Sequence, residues 1–174
     1  AGEAREAHTS ATASGNRKKI TKAVVMKVFV RFNMDDVPAD GRFMLLDAAM
    51  YADLLDDLTD KELSAFLACA DASRGVLGKL YGFEIMQRSQ VLRTTANGAA
   101  ILKWEEDDAD TELAAGLAWQ QDCVSRALGD VKMFDDMGNP TYYGDIYSFL
   151  VRTGGSPRRY DGKGIAAIIE SNAA

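Results

Sequence analysis

Histidine and cysteine are scarce in this chain, which restricts the chemistry that it can perform. Its 174 residues include one histidine, His8, and two widely separated cysteines, Cys69 and Cys123. A structural zinc site needs four such ligands at close spacing. General acid–base catalysis needs a partner beside the histidine, and the sequence around His8 offers none of the suitable kind. We therefore predict no catalytic residue, no metal site and no cofactor, and we interpret both cysteines as buried, reduced thiols.

Motifs of nucleotide binding, serine hydrolysis and zinc proteolysis are also missing. Gly75, Gly78 and Gly82 precede a predicted strand. A phosphate cradle places its glycines at a helix N-terminus, so we interpret these three as turn residues. No apolar run approaches the roughly 20 residues that span a membrane. We expect a protein that is not an enzyme and has no membrane partner.

The N-terminal residues 1–16 are small and polar, and they contain no apolar stretch of the kind found in a signal peptide. We predict a flexible tail over residues 1–16, followed by a single domain over residues 17–174. The chain begins without Met, from which we expect a processed form or a fragment of something longer.

Charge is distributed unevenly along the chain, whose formal net charge is −6. This balance argues against nucleic-acid binding, which needs a basic surface. One stretch carries only basic charges and another only acidic ones; they are Arg17, Lys18, Lys19, Lys22, Lys27 and Arg31, and Glu105, Glu106, Asp107, Asp108, Asp110 and Glu112. The acidic run lacks the alternating ligands and the glycine of a calcium loop. A solvated or partner-facing loop is therefore favoured over a metal site.

Hydrophobic periodicity and capping residues predict short strands between helices. Asp47 and Thr59 are suitable N-caps, and Glu62 follows Thr59 at the spacing of a capping box. Three predicted helices cover residues 17–33, 120–128 and 142–152. The helix capped by Asp47 carries Met50, Tyr51, Leu54 and Leu55 on one face, and the helix capped by Thr59 has its apolar positions at Leu63, Phe66, Leu67 and Ala70. The predicted strands cover residues 42–46, 83–86, 113–119, 131–134 and 164–170, with an exposed loop or hairpin over 89–112 and a turn over 135–139. Without strict βαβ alternation, this order indicates an α+β fold.

Four segments, in the same order, resemble segments of the major capsid proteins of tailed bacteriophages. They are VPADGRFMLLDAAMYADLLDD (37–57), LGKLYGFEIMQRSQV (77–91), LAWQQDCVSRAL (117–128) and YYGDIYSFLVRTGGSPRR with the following GIAAIIE (142–170). The resemblance implies the capsid fold of the Hong Kong ninety-seven type, mainly its axial domain with part of its peripheral domain. The spine helix and extended loop of that family come earlier, so it also implies an N-terminally truncated subunit.

The resemblance also implies a structural role and a location. Such subunits assemble with copies of themselves into the pentamers and hexamers of an icosahedral shell, and they have no active site in this region. Portal or scaffolding proteins are further candidate partners, whereas a membrane or a specific nucleic-acid sequence is not. The expected location is the capsid of a phage or prophage virion, and the host cytoplasm during assembly.

In a ring of subunits, the uneven charge would attract neighbouring subunits to one another. Each subunit presents one flank to the opposite flank of its neighbour, and opposite charges on the two flanks would fix their register. We expect this contact to involve four basic and four acidic residues, namely Arg17, Lys18, Lys19 and Lys22, and Glu105, Glu106, Asp107 and Asp108.

Three other functions remain open on the sequence alone. A nanocompartment shell protein of the encapsulin kind shares the fold and encloses cargo enzymes. A small cytosolic enzyme could have a carboxylate-based or metal-dependent site around Asp107 to Glu112. A phage binding or adaptor protein outside the capsid is the third.

Overall fold

In the computed structural model, the described residues are 6–9, 13–14, 17–95, 113–139, 141 and 143–171. The helices are α1 (Lys22–Met34), α2 (Ala48–Asp57) and α3 (Asp60–Ala68), with a 3₁₀ turn at Gln121–Cys123. The strands are β1 (Glu6–His8), β2 (Ala13–Ser14), β3 (Arg17–Lys18), β4 (Arg42–Asp47), β5 (Gly78–Leu80), β6 (Phe83–Arg88), β7 (Leu92–Thr94), β8 (Leu113–Gln120), β9 (Val124–Asn139), β10 (Gly144–Pro157) and β11 (Ile165–Ile169).

A mixed sheet of seven strands forms the centre of the molecule, in the order β1-β11-β8-β4-β6-β5, with β7 beside β8. Two of its pairs are parallel, β4 with β6 and β1 with β11. The connection between β4 and β6 contains α2 and α3, as a parallel pair requires a long crossover. This mixture of parallel and antiparallel strands agrees with the predicted α+β class.

The hydrophobic core lies between the sheet and the helices. Val24, Val28 and Phe32 form the buried stripe of α1. The ring of Phe32 meets that of Phe83 edge-on, with 5.4 Å between centroids. Burial of this stripe explains why α1 is helical despite its β-branched residues, which by propensity alone suit a strand. None of the helices in the described ranges is long and apolar enough to cross a membrane.

The starts of α2 and α3 agree with the predicted caps. The Asp47 carboxylate accepts a hydrogen bond from the Ala49 amide at 3.1 Å. Glu62 accepts hydrogen bonds from the backbone N–H and the hydroxyl of Thr59, at 3.0 and 2.8 Å. Both helices therefore begin where capping chemistry predicted.

The N-terminal segment differs from its prediction in two places. Glu6–His8 runs parallel to β11 at an edge of the sheet instead of forming a flexible tail. Residues 17–18 form β3 with β2, and α1 begins at Lys22 rather than at residue 17. The division of the chain after residue 16 stays a prediction.

The largest difference is a long hairpin made by β9 and β10. Helices predicted over residues 120–128 and 142–152, and a turn predicted over 135–139, are replaced by two antiparallel strands. Between Asn139 and Gly144 the chain reverses. The second strand contains Ile146, Tyr147, Phe149, Val151 and Thr153, whose side chains suit a strand, and pairing of the two segments satisfies their backbone hydrogen bonds. Helical spacing in one segment cannot reveal such a distant partner.

The two cysteines differ in their surroundings. Cys123 is buried, as predicted, whereas Cys69 at the end of α3 is exposed. Both are free thiols. The prediction of a buried Cys69 is wrong because only Phe66 of α3 is fully buried in the core.

Candidate assembly surface

Arg17, which was expected to contact a neighbouring subunit, makes ion pairs within its own chain. Its guanidinium contacts Asp53 of α2 and Glu170, which follows β11, both at 2.6 Å. The Lys18 amide donates to the Ser171 carbonyl at 2.9 Å. Arg17 therefore joins the N-terminal segment, α2 and the C-terminal segment.

Two carboxylates share this one guanidinium in a buried environment. Burial raises the pKa of Glu170, and the positive charge of Arg17 opposes that rise only in part. Burial also lowers the pKa of Arg17, but the charges and hydrogen bonds of Glu170 and Asp53 outweigh it, so the pKa is raised overall. Lys19, with its ammonium 3.8 Å from Asp53, adds a second positive charge to the cluster.

Lys22 also makes an ion pair within the chain, with its ammonium 2.9 Å from the Glu62 carboxylate. Glu62 therefore links the first turn of α1 to the first turn of α3. Hydrogen bonds from Thr59 and from Lys22 lower the pKa of Glu62 to about 2. Glu62 is thus expected to stay ionised far into the acid range.

This lowered pKa predicts an acid-dependent loss of stability. A carboxylate with a depressed pKa stabilises the fold above its unfolded pKa of about 4.3, and this contribution disappears as the pH falls towards about 2. We expect Glu62→Gln to lower the melting temperature at pH 6 and to have progressively less effect between pH 4 and pH 2. Thermal melts across this range measure the difference.

Asp130→Asn, at an exposed position on β9, serves as the control. Its melting temperature should remain near that of the unmodified chain throughout. Equal effects of Glu62→Gln at pH 6 and pH 2 would contradict the assignment. Burial raises the pKa of Glu170, so the stability that this carboxyl contributes decreases as the pH rises. This change is opposite in sign to the one expected for Glu62.

The acidic half of the expected contact, Glu105, Glu106, Asp107 and Asp108, lies outside the described residues. Within the part of the chain that is described, no group of three or more His, Cys, Asp or Glu side chains could hold a metal ion. Arg17, Lys19 and Lys22 are engaged in their own chain, so they are less available to a neighbour than the sequence suggested.

The hairpin presents a second surface that the sequence analysis missed. Large apolar side chains lie along it and remain exposed, among them Met133, Phe149 and Val151 at 58%, 69% and 56% of their full area. Exposed apolar patches of this kind mark interaction sites. The alternation of Tyr147, Phe149 and Val151 with other residues was the available signal for a strand, whereas a helix was predicted over residues 142–152.

Backbone contacts around Cys123 attach the hairpin to the sheet. The Cys123 carbonyl accepts from the Arg158 amide at 2.8 Å, and the Gly164 carbonyl accepts from the Gln120 amide at 2.9 Å. Gly164 has a φ of +84°, and a Cβ there would overlap the Cys123 sulfur. The root of the hairpin is therefore tightly packed.

Arg42 is the last residue of the segment VPADGR, with which the first stretch that resembles capsid proteins begins, and its contacts fix the shape of this segment. Arg42 is 2% exposed, and its guanidinium donates to the carbonyls of Val37 at 2.6 Å and Pro38 at 2.8 Å, and to the Asn33 side chain at 2.9 Å. Gly41, with a φ of +67°, makes the turn before it. This arrangement holds the end of α1 against the start of β4.

No protein-family model matches the sequence, and no curated protein does. Solved phage structures match it in fold. The capsid of cyanophage P-SCSP1u is 17% identical over 88% of this chain and 46% of that one, with a TM-score of 0.51. A structure of Mycobacterium phage Che8 is 15% identical over 95% and 53%, with a TM-score of 0.54. The head of Helicobacter pylori bacteriophage KHP40 is 14% identical over 90% and 60%, with a TM-score of 0.57.

These matches confirm the predicted α+β phage capsid fold. The chain spans about half the length of the structures that it matches. The distinction between an axial and a peripheral part stays a prediction.

Proposed function

We propose that this chain is part of the structural subunit of an icosahedral phage or prophage capsid. The observation that carries the proposal is the fold, which the chain shares with phage capsid and head structures over 88% and 90% of its length. The subunit would assemble with copies of itself into pentamers and hexamers. In this role it performs no catalysis.

An exposed apolar hairpin supports this proposal independently. A monomer in water gains nothing from leaving Val131, Met133 and Phe149 exposed, because covering apolar surface is favourable. A subunit that is covered by other subunits has such surfaces by necessity. The subunit would then be found in the virion capsid, and in the host cytoplasm before assembly. Portal or scaffolding proteins would be its partners at that stage.

Electron microscopy of the complete gene product tests this function. We expect closed particles, or rings of five and six subunits, after expression of the full-length protein. Negative-stain images and sedimentation velocity detect both. A product that stays monomeric at high concentration and across a range of salt would contradict the proposal.

The same assay tests the expected charge contact between neighbours. Replacement of Glu105, Glu106, Asp107 and Asp108 by lysine should reduce assembly most at low salt, because screening hides the effect at high salt. Arg17, Lys19 and Lys22 make ion pairs within the chain. Lys18, the fourth basic residue of the expected contact, makes none with the described residues. Unchanged assembly at low salt would contradict this charge contact, and the proposed shell function would still stand.

A further inference from the structure

The hairpin has two faces, and they differ in chemistry. Side chains alternate between the faces of a strand, and paired residues share a face. The register therefore places six exposed or partly exposed apolar residues on one face, together with Arg126 near the root and Asp135 near the tip; the six are Leu128, Val131, Met133, Tyr147, Phe149 and Val151. We call this the apolar face. The other face mixes charges with apolar residues, for example Lys132 with Phe134.

We propose that the apolar face packs against the apolar face of a second copy of this chain, in an antiparallel arrangement with two-fold symmetry. This contact rests on the proposed function, because it would be one of the contacts between subunits of the shell. Two sheets that pack face to face lie about 10 Å apart and bury the side chains between them.

The charges at the two ends of the apolar face support packing against a second copy of the chain. Arg126 pairs with Gly155, and Asp135 pairs with Tyr147. Along β10, Gly155 and Tyr147 each lie four residues from Val151, on opposite sides of it, which is about 13 Å in either direction. The proposed two-fold axis lies between the two hairpins and runs across their strands, over the Val131–Val151 pair. It therefore brings Arg126 of each copy opposite Asp135 of the other. Neither side chain has an ion-pair partner among the described residues.

The shapes of the opposed positions also match under this symmetry. Val131 pairs with Val151 at the centre, so each of the two valines would meet its own counterpart. Tyr147 of one copy would lie over Gly155 of the other. Glycine at this position leaves room for the ring, because among the described residues an added Cβ would have one neighbour within 4 Å, the Ser125 carbonyl at 3.7 Å. An isologous contact of this kind is self-complementary and closes with two copies.

Cysteine cross-linking tests the arrangement directly. In a Cys69→Ser background, a short bismaleimide should link Val131→Cys of one copy to Val131→Cys of the other, since these two positions face each other on the axis across about 10 Å. Lys132→Cys is the matched control, because it is the next residue, is also exposed and faces the other way. Dimer formed by Val131→Cys but not by Lys132→Cys is the expected result. Equal yields from both variants would overturn the proposal.

Charge reversal tests the direction of packing. Arg126→Asp alone or Asp135→Arg alone should lower the association constant by roughly tenfold or more, since each places like charges together. The double variant should restore it, because the opposed charges are exchanged. Lys132→Glu, on the other face, should have no effect. Failure of the double variant to restore association would overturn the antiparallel contact.

Cross-linking within particles of the full-length protein separates this contact from the function. Particles in which Val131→Cys does not cross-link would show that another segment covers the apolar face, so the contact would be wrong and the shell function would stand. Specific cross-linking and charge rescue without any particles would support the contact and contradict the shell function.

Discussion

Arg42→Ala is expected to destabilise the fold by about 4 kcal/mol. Two hydrogen bonds from its guanidinium to backbone carbonyls disappear, and a hydrogen bond to a charged donor contributes roughly 1.5–3 kcal/mol. The carbonyls of Val37 and Pro38 lose this donor. Contacts of the guanidinium with the rings of Phe29 and Phe32, at 5.6 and 5.7 Å, are lost as well.

Urea-induced unfolding of the chain measures this loss. Arg42→Lys should fall between the unmodified chain and Arg42→Ala, because an ammonium keeps the charge without the planar fork of donors. Arg88→Ala is the control, since Arg88 is an exposed arginine of β6 and should change stability by less than about 0.5 kcal/mol. An Arg42→Ala variant as stable as Arg88→Ala would contradict the role assigned to Arg42.

Gly164→Ala is expected to destabilise the fold by about 3 kcal/mol. Overpacking against the Cys123 side chain contributes roughly 1–3 kcal/mol. A left-handed backbone, with a φ of +84° at this residue, adds about 1 kcal/mol for any residue with a Cβ. The damage lies at the root of the hairpin, so the orientation of the apolar face should change too.

Gly75→Ala separates these two effects. Gly75 has a φ of +69°, and no atom of the described part of the chain lies within 4 Å of a Cβ added there. Its loss of stability, again measured by urea unfolding, should therefore report the backbone effect alone. Adding Cys123→Ala to Gly164→Ala should recover part of the difference, since it removes the overlapping sulfur. Equal losses for Gly164→Ala and Gly75→Ala would contradict tight packing at the root.

Local sequence chemistry was enough to predict the elements whose signals lie within a few residues. Asp47, Thr59 and Glu62 mark helix starts because a cap acts over one turn of the chain. The strand at Arg42–Asp47 is buried on both faces and has a nearly continuous apolar pattern. The segment VPADGR was identified from its residues, although the contacts of Arg42 that explain it appear only in the structure.

Interactions between distant residues account for the features that were missed. The hairpin depends on pairing between residues up to 33 positions apart, such as Val124 with Pro157. Part of each strand, residues 124–128 of β9 and 144–152 of β10, lies in a segment where a helix was predicted. Arg17 was expected on an outer flank, but it lies 36 residues from Asp53 and 153 from Glu170 in sequence. No pattern near Arg17 indicates that these partners are close.

The sequence by itself therefore determined the α+β class, the helix caps, the buried strands and the resemblance to phage capsid proteins. These depend on local backbone chemistry and on the order of segments. Only the tertiary structure decided which charges bind within the chain and which apolar residues remain exposed. Both follow from long-range pairing, because burial is a property of the assembled sheet and not of any one segment.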